Sequence, residues 1–336
     1  MFNPKYQLRR KRRVYLLLVC LSSMLAWALL FLRLRKKLLR KKLLVIVCVS
    51  GLGNRIRALA SASALARHSN RKLVVVWERD IHLDATFQEL FLDTHMHVLP
   101  SDTTRSIYGL SRDNTLFLDL GAKSVTIPVK SKKHIHVTSG FRLFSTRGRP
   151  RDKDFRRELR QLQLALPLYT EYHNWLAQHP TLQTAVGVHI RNLHDLSIDV
   201  PGYKVAVGDS KQMKFQKVVS FERSKCDEIF FFAKMKEIVL WEPNASFFVV
   251  SDTLSSVTKA RALFGEHVMT FSDSTFEACQ SEQRRKTKCI RHALMEMFML
   301  GETRRILYSS WSSFSEVAAL RGQFAGRHDD RITPCI

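Results

Sequence analysis

Ala185-Val186-Gly187-Val188-His189-Ile190-Arg191-Asn192-Leu193-His194-Asp195 is the stretch that decides the fold. Residues 185–190 are apolar and β-prone, a strand by length and composition, and the run stops at a cation, Arg191. In open α/β sheets ligands bind in the crevice outside the carboxyl ends of the strands. A guanidinium there can hold two phosphate oxygens in its planar fork. The plain alternative is an Arg in a structural ion pair. His189 stands two residues before Arg191 and so shares its strand face. It reads either as a ligand contact or as a hydrogen-bonded core histidine.

The flanking chain repeats one pattern. Leu43–Val49 is an apolar run of strand length, Arg55–His68 has helical composition, and Lys72–Trp77 is again a strand, which predicts a parallel sheet. Further strands are expected at Leu116–Leu118, Ser124–Pro128 and His134–Val137. Helices are expected at Asp154–Leu164 and Tyr169–Gln178. A second series follows Ala185–Ile190: helix Ser224–Trp241, strand Ser246–Val250, helix Ser255–Phe264, strand His267–Phe271, helix Lys288–Leu300, strand Arg305–Tyr308 and helix Phe314–Leu320. Val200–Phe221 reads as an irregular loop. The expected class is α/β, with two Rossmann-like domains, 43–180 and 181–336, facing each other across a cleft.

The first 42 residues are of another kind. Val14–Leu32 is uncharged and apolar, long enough to span a bilayer. A basic tail (1–13) precedes it and a short basic stem (33–42) follows. These 42 residues hold 13 Lys and Arg and no Asp or Glu, so they carry more than half of the chain's formal net charge of +24. Residues 43–336 keep an excess that favours an anionic ligand or surface. A nucleic-acid partner is disfavoured, because the basic excess clusters around the apolar span and no aromatic-basic stacking pattern accompanies it. The expectation is a single-pass type II membrane protein of the Golgi or secretory pathway, held to the bilayer through 14–32. Charge flanks both ends of the span, so charge does not decide its orientation.

Among the six cysteines, Cys20 lies in the span and Cys48 reads as a buried thiol. Cys226, Cys279, Cys289 and Cys335 sit in polar surroundings, where a Cys279–Cys289 disulfide is one of several pairings. No Cys/His spacing resembles a metal site. Asn244-Ala245-Ser246 is a glycosylation sequon if that loop is lumenal.

Three more groups carry candidate chemistry. Gly51-Leu52-Gly53-Asn54 lies at a strand-to-helix junction, where backbone N–H groups favour an anion; a tight turn is the alternative. Ser309–Ser315 places five serines around Trp311 and Phe314 at another such junction, suited to phosphate or to capping of the next helix by Ser312 or Ser313. Asp252 and Asp273 each follow a strand and could accept from the N–H edge of guanine or cap helices.

In this order, Gly51-Leu52-Gly53-Asn54, His189-Ile190-Arg191 and Ser312-Ser313-Phe314-Ser315 with Ala318-Ala319 resemble the GDP-fucose-dependent fucosyltransferases of GT-B fold, the α-1,2 type above all. The resemblance spans roughly residues 43–325. It implies fucose transfer from GDP-fucose to a hydroxyl of a glycan or glycoprotein, with inversion and without a metal. Arg191 would hold the β-phosphate and stabilise departing GDP, and His189 would contact the nucleoside. Asp273, or less directly Asp252, would read guanine; Ser312 and Ser313, with Phe314 beside them, would bind phosphate. Gly51, Gly53 and Asn54 would line the cleft. Asp195 and Asp199 follow Arg191 closely enough to serve as general base, or are solvated loop charges. The chain departs from the pattern at Asn192, where a second Arg is frequent, at Ser50, where a glycine is usual, and at Arg55, where Gln is frequent. A transferase with another nucleotide-activated donor, or a non-catalytic nucleotide- or glycan-binding protein on this fold, are the competing readings. Within the first, a membrane-bound sulfotransferase fits the apolar span and the basic charge but lacks an early phosphosulfate loop.

Overall fold

A computed structural model describes residues 41–92, 96–119, 126–146, 152–192, 226–279, 285–322 and 331–332. The apolar span 14–32, the tail before it, the stem as far as Arg40, the loop 200–221, Asp195 and Asp199 lie outside the described residues. Among the described residues no helix is long and apolar enough to cross a membrane.

Two five-stranded parallel sheets carry the chain from Leu43 onward. The first has the order His97–Leu99, Lys72–Val76, Leu43–Cys48, His134–Ser139, Thr115–Asp119. The second has the order Val268–Met269, Phe247–Ser251, Val186–Ile190, Arg305–Tyr308, Arg331–Ile332. Every pairing in them is parallel. The α/β class expected from the sequence is therefore observed. Such sheets are covered on both faces, which explains why the central strands read as unbroken apolar runs. All five residues of Val186–Ile190 and of Phe247–Ser251 are buried.

One apolar core runs through both halves of this unit. It joins Ile46, Ile56 and Leu59 to Phe248, Met297, Phe298 and Val317. Gly187, inside the central strand, shows how tightly the helix Thr287–Glu302 closes on the second sheet. A Cβ at Gly187 would lie 2.5 Å from Thr303 Oγ1 and 2.7 Å from Leu300 Cδ1, and only glycine admits that approach.

Several boundaries differ from expectation. The first helix begins at Leu52, three residues early, so Gly53 and Asn54 belong to its opening turn. The helix expected from Ser224 begins at Glu228, because Asp227 caps it by accepting from the Ile229 N–H at 3.0 Å. The strand expected at His267–Phe271 shrinks to Val268–Met269 at a sheet edge. Thr126–Ile127 pairs with Phe144–Ser145 in a separate two-stranded ladder rather than joining the main sheet. His97–Leu99 and Arg331–Ile332 were not anticipated, being too short to show periodicity.

Candidate functional site

The carboxyl ends of three neighbouring strands of the second sheet bring Arg191, Asp252 and Ser309 together. The Arg191 N–H donates to Ser309 Oγ at 2.8 Å. Ser309 in turn donates to the His189 carbonyl through both its N–H and its hydroxyl, each at 3.2 Å. Arg191 Nε pairs with Asp252 Oδ2 at 3.1 Å, while Asp252 Oδ1 accepts from the Asn192 N–H at 2.8 Å. One carboxylate thus fixes the chain and the guanidinium just past the central strand. The Arg191 side chain remains 34% exposed. The ion-pair reading of Arg191 is observed, and its guanidinium is left part-exposed just past the carboxyl end of the strand.

His189 is buried, with 4% exposure. Its Nδ1 lies 3.0 Å from Ser315 Oγ, and its ring stacks on Phe314 at 4.8 Å between centroids. The core-histidine reading describes this geometry, and the ring ties the central strand to the start of the Ser313–Arg321 helix. At that helix start, Ser312 occupies the N-cap position without a side-chain capping bond. The Ser312 carbonyl accepts the first intrahelical bond, from the Glu316 N–H at 3.1 Å.

The glycine motif meets the serine motif here. A Cβ at Gly53 would fall 2.8 Å from the Ser313 carbonyl carbon and 2.9 Å from the Phe314 nitrogen. Two helix starts, 260 residues apart in sequence, approach backbone to backbone. Arg57 reinforces the junction: Nε donates to the Gly140 carbonyl at 2.9 Å and Nη1 pairs with Glu316 at 3.2 Å. Burial lowers the pKa of the Arg57 guanidinium, and Glu316 partly offsets that.

Ser50 has φ of 72°. That left-handed conformation costs a residue with a Cβ and suits glycine, so the structure explains why a glycine is the usual residue at this place in the pattern. Arg55, departing from the pattern too, is fully buried. Its Nε donates to the Ser50 carbonyl at 2.7 Å, its Nη1 to the Glu78 carbonyl at 2.5 Å, and its Nη2 pairs with Asp80 at 2.6 Å. It staples the turn after the first strand to the turn after the second. Burial pushes the adjacent Cys48 thiol up to about 12, against the pull of Arg55, so Cys48 is an inert buried thiol as expected.

Asn192, where a second arginine is frequent, is absorbed into a polar network. Its Nδ2 donates to Glu228 Oε2 at 2.8 Å and to Ser256 Oγ at 2.6 Å. Ser256 also donates to Glu228, and Lys259 pairs with its other oxygen. Burial would raise the Glu228 carboxyl, but the hydrogen bonds from Lys259, Ser256 and Asn192 outweigh it and hold it below the usual range.

Asp273 opens the helix Asp273–Ala278, and its side chain lies outside the described part. Cys279 and Cys289 form a disulfide. The segment it bounds reaches the first half of the unit: Arg285 Nη1 donates to the His82 carbonyl at 3.2 Å and lies 3.8 Å from where a Cβ of Gly51 would be. Sequence reading missed Arg57, Gly140, Glu228 and Arg285, since each is defined by a distant partner. Among the described residues no group of three or more His, Cys, Asp or Glu is gathered to hold a metal ion.

No protein-family model and no curated sequence matches the chain. Solved structures do. Fucosyltransferase NodZ from Bradyrhizobium superposes with a TM-score of 0.52 at 13% identity, over 84% of this chain and 94% of that one. POFUT1 in complex with GDP-fucose gives 0.51 at 12% identity, over 87% and 97%. The fold is the fucosyltransferase fold.

Proposed function

We propose that this chain is a GDP-fucose-dependent fucosyltransferase acting on a hydroxyl of a glycan or glycoprotein acceptor, with inversion and without a metal. The observation that carries the reading is the Arg191–Asp252–Ser309 arrangement at the carboxyl ends of the second sheet, on a fold shared with NodZ alpha-1,6-fucosyltransferase soaked with GDP-fucose. In this reading Arg191 neutralises charge on the departing diphosphate, a fixed cation aimed where charge develops. Ser312 and Ser313 contribute hydroxyls at the same rim. His189 acts from beneath, setting the helix start through Phe314 and Ser315 rather than through a nucleoside contact. Asp252 acts by holding Arg191. Asp273 for guanine and Asp195 or Asp199 as base complete the proposal.

The same reading divides the chain at 43–180 and 181–336 and anchors it through Val14–Leu32 as a type II protein of the secretory pathway. The test is thermal stabilisation of the full chain by GDP, UDP, CMP and adenosine 3′,5′-bisphosphate, followed by assay of fucose transfer. GDP alone should raise the melting temperature, and Arg191→Ala should abolish both that rise and turnover while the protein stays folded. Stabilisation by a different nucleotide, or near-normal turnover in Arg191→Ala, overturns it.

A further inference from the structure

Asn244-Ala245-Ser246 is the single Asn-x-Ser/Thr sequence among the 336 residues. The fold holds it on the surface in a fixed turn. The helix Glu228–Trp241 ends as the Glu242 N–H donates to the Ile238 carbonyl at 2.8 Å. Glu242 then opens a tight turn, closed by the Ala245 N–H donating back to the Glu242 carbonyl at 2.8 Å. Pro243 and Asn244 take its two central positions, which suit both residue types, and both are exposed. The flanks are tied down. Glu242 pairs with Arg304 and Arg305. His267 Nδ1 lies 2.7 Å from the Ala245 carbonyl oxygen, and the Ser246 carbonyl accepts from the Val186 N–H at 2.8 Å. None of these contacts uses the Asn244 amide or the Ser246 hydroxyl, the two groups that N-glycosylation requires.

Leu240 and Trp241, the last two residues of that helix, are 80% and 82% exposed. Trp241 stands three residues before Asn244, on the other side of the turn. An indole in water leaves a large apolar face unburied. A pyranose joined to Asn244 brings an apolar C–H face that can cover it. The Cys279–Cys289 disulfide fits an oxidising compartment, the kind in which N-glycans are attached. We propose that Asn244 carries an N-linked glycan whose first sugar packs on Trp241. This rests on the secretory-pathway placement proposed above. The turn precedes the strand Phe247–Ser251, whose other end leads into Asp252, so the length of that strand separates the glycan from the Arg191 site.

The full chain is expressed in a eukaryotic secretory host and treated with peptide N-glycosidase. Wild type should migrate faster on a gel after treatment. Asn244→Gln and Ser246→Ala should run at the treated position with or without the enzyme. Ser246→Thr keeps the sequon and should behave as wild type. The native protein is then melted before and after the enzyme. Removing the glycan should lower the melting temperature by about 2 °C in wild type and leave that of Trp241→Ala unchanged. A further full chain carries Asn-Gly-Thr within an added flexible carboxyl-terminal tail. Modification of the tail but not of Asn244 overturns the proposal and leaves the secretory placement standing; modification of neither overturns both. A melting temperature that falls equally in wild type and Trp241→Ala, or that does not fall, overturns the packing on Trp241.

Discussion

Gly53 and Ser313 touch through their backbones: a side-chain carbon on Gly53 would sit 2.8 Å from the Ser313 carbonyl carbon and 2.9 Å from its oxygen. This contact joins the helix after the first strand to the helix after the last long strand. It is also where two of the three candidate motifs meet, backbone to backbone.

Gly53→Ala should therefore be destabilising although alanine favours helices. The propensity gain is about 1 kcal/mol, whereas displacing packed backbone costs roughly 1–3 kcal/mol or more. Gly51→Ala has only the end of a flexible arginine 3.8 Å away and should cost less than about 1 kcal/mol. Urea denaturation of both variants checks the order; equal losses would show that the contact is looser than described.

Ser50→Gly should stabilise the protein. The residue holds φ of 72°, and relieving that strain outweighs the added freedom of the unfolded chain by about 0.5–1 kcal/mol. The Arg55 bond to the Ser50 carbonyl is kept, because it uses the backbone. A melting temperature higher by about 2 °C is expected for a unit of this size; a lower one would mean the serine hydroxyl contributes more than the strain costs.

Asp252→Asn should weaken nucleotide binding without unfolding the protein. Asn could still accept from the Asn192 N–H, but its amide would then face Arg191 Nε, donor against donor. GDP affinity should fall about tenfold, an effect of about 1.4 kcal/mol, with circular dichroism unchanged. Titration calorimetry showing wild-type affinity would remove Asp252 from the positioning of Arg191.

Glu228 links the Asn192 network to pH. Its folded-state pKa is depressed below the ordinary 4.5, so its contribution is fully present above that value and is lost as pH falls through the lower folded value. Glu228→Gln should melt below wild type at pH 7, and the gap should close on acidification below about pH 4.5. Asp84, Glu89 and Glu242 are depressed too, so both proteins lose stability in acid; a gap that stays constant from pH 7 to pH 3 would place the effect outside the Glu228 charge.

The alternation of apolar runs and helical segments was enough to establish a parallel α/β architecture, because strands buried on both faces must be written as runs such as Val186–Ile190. It also located Arg191, Gly53 and the serine cluster, since a cation after a buried strand and small residues at helix starts are local facts. Contacts between residues far apart in sequence had to come from the fold. Asn192 is satisfied by Glu228 and Ser256, Arg57 by Gly140 and Glu316, and His189 by Phe314 and Ser315. Nothing local marks such partners. The helix start at Glu228 is by contrast local, set by the Asp227 cap, while the helix that starts at Leu52 has no side-chain cap and packs its opening turn on the Ser313 backbone. Residue types and spacing determined which groups could do chemistry, and close-packing of two sheets around one core decided which of them meet.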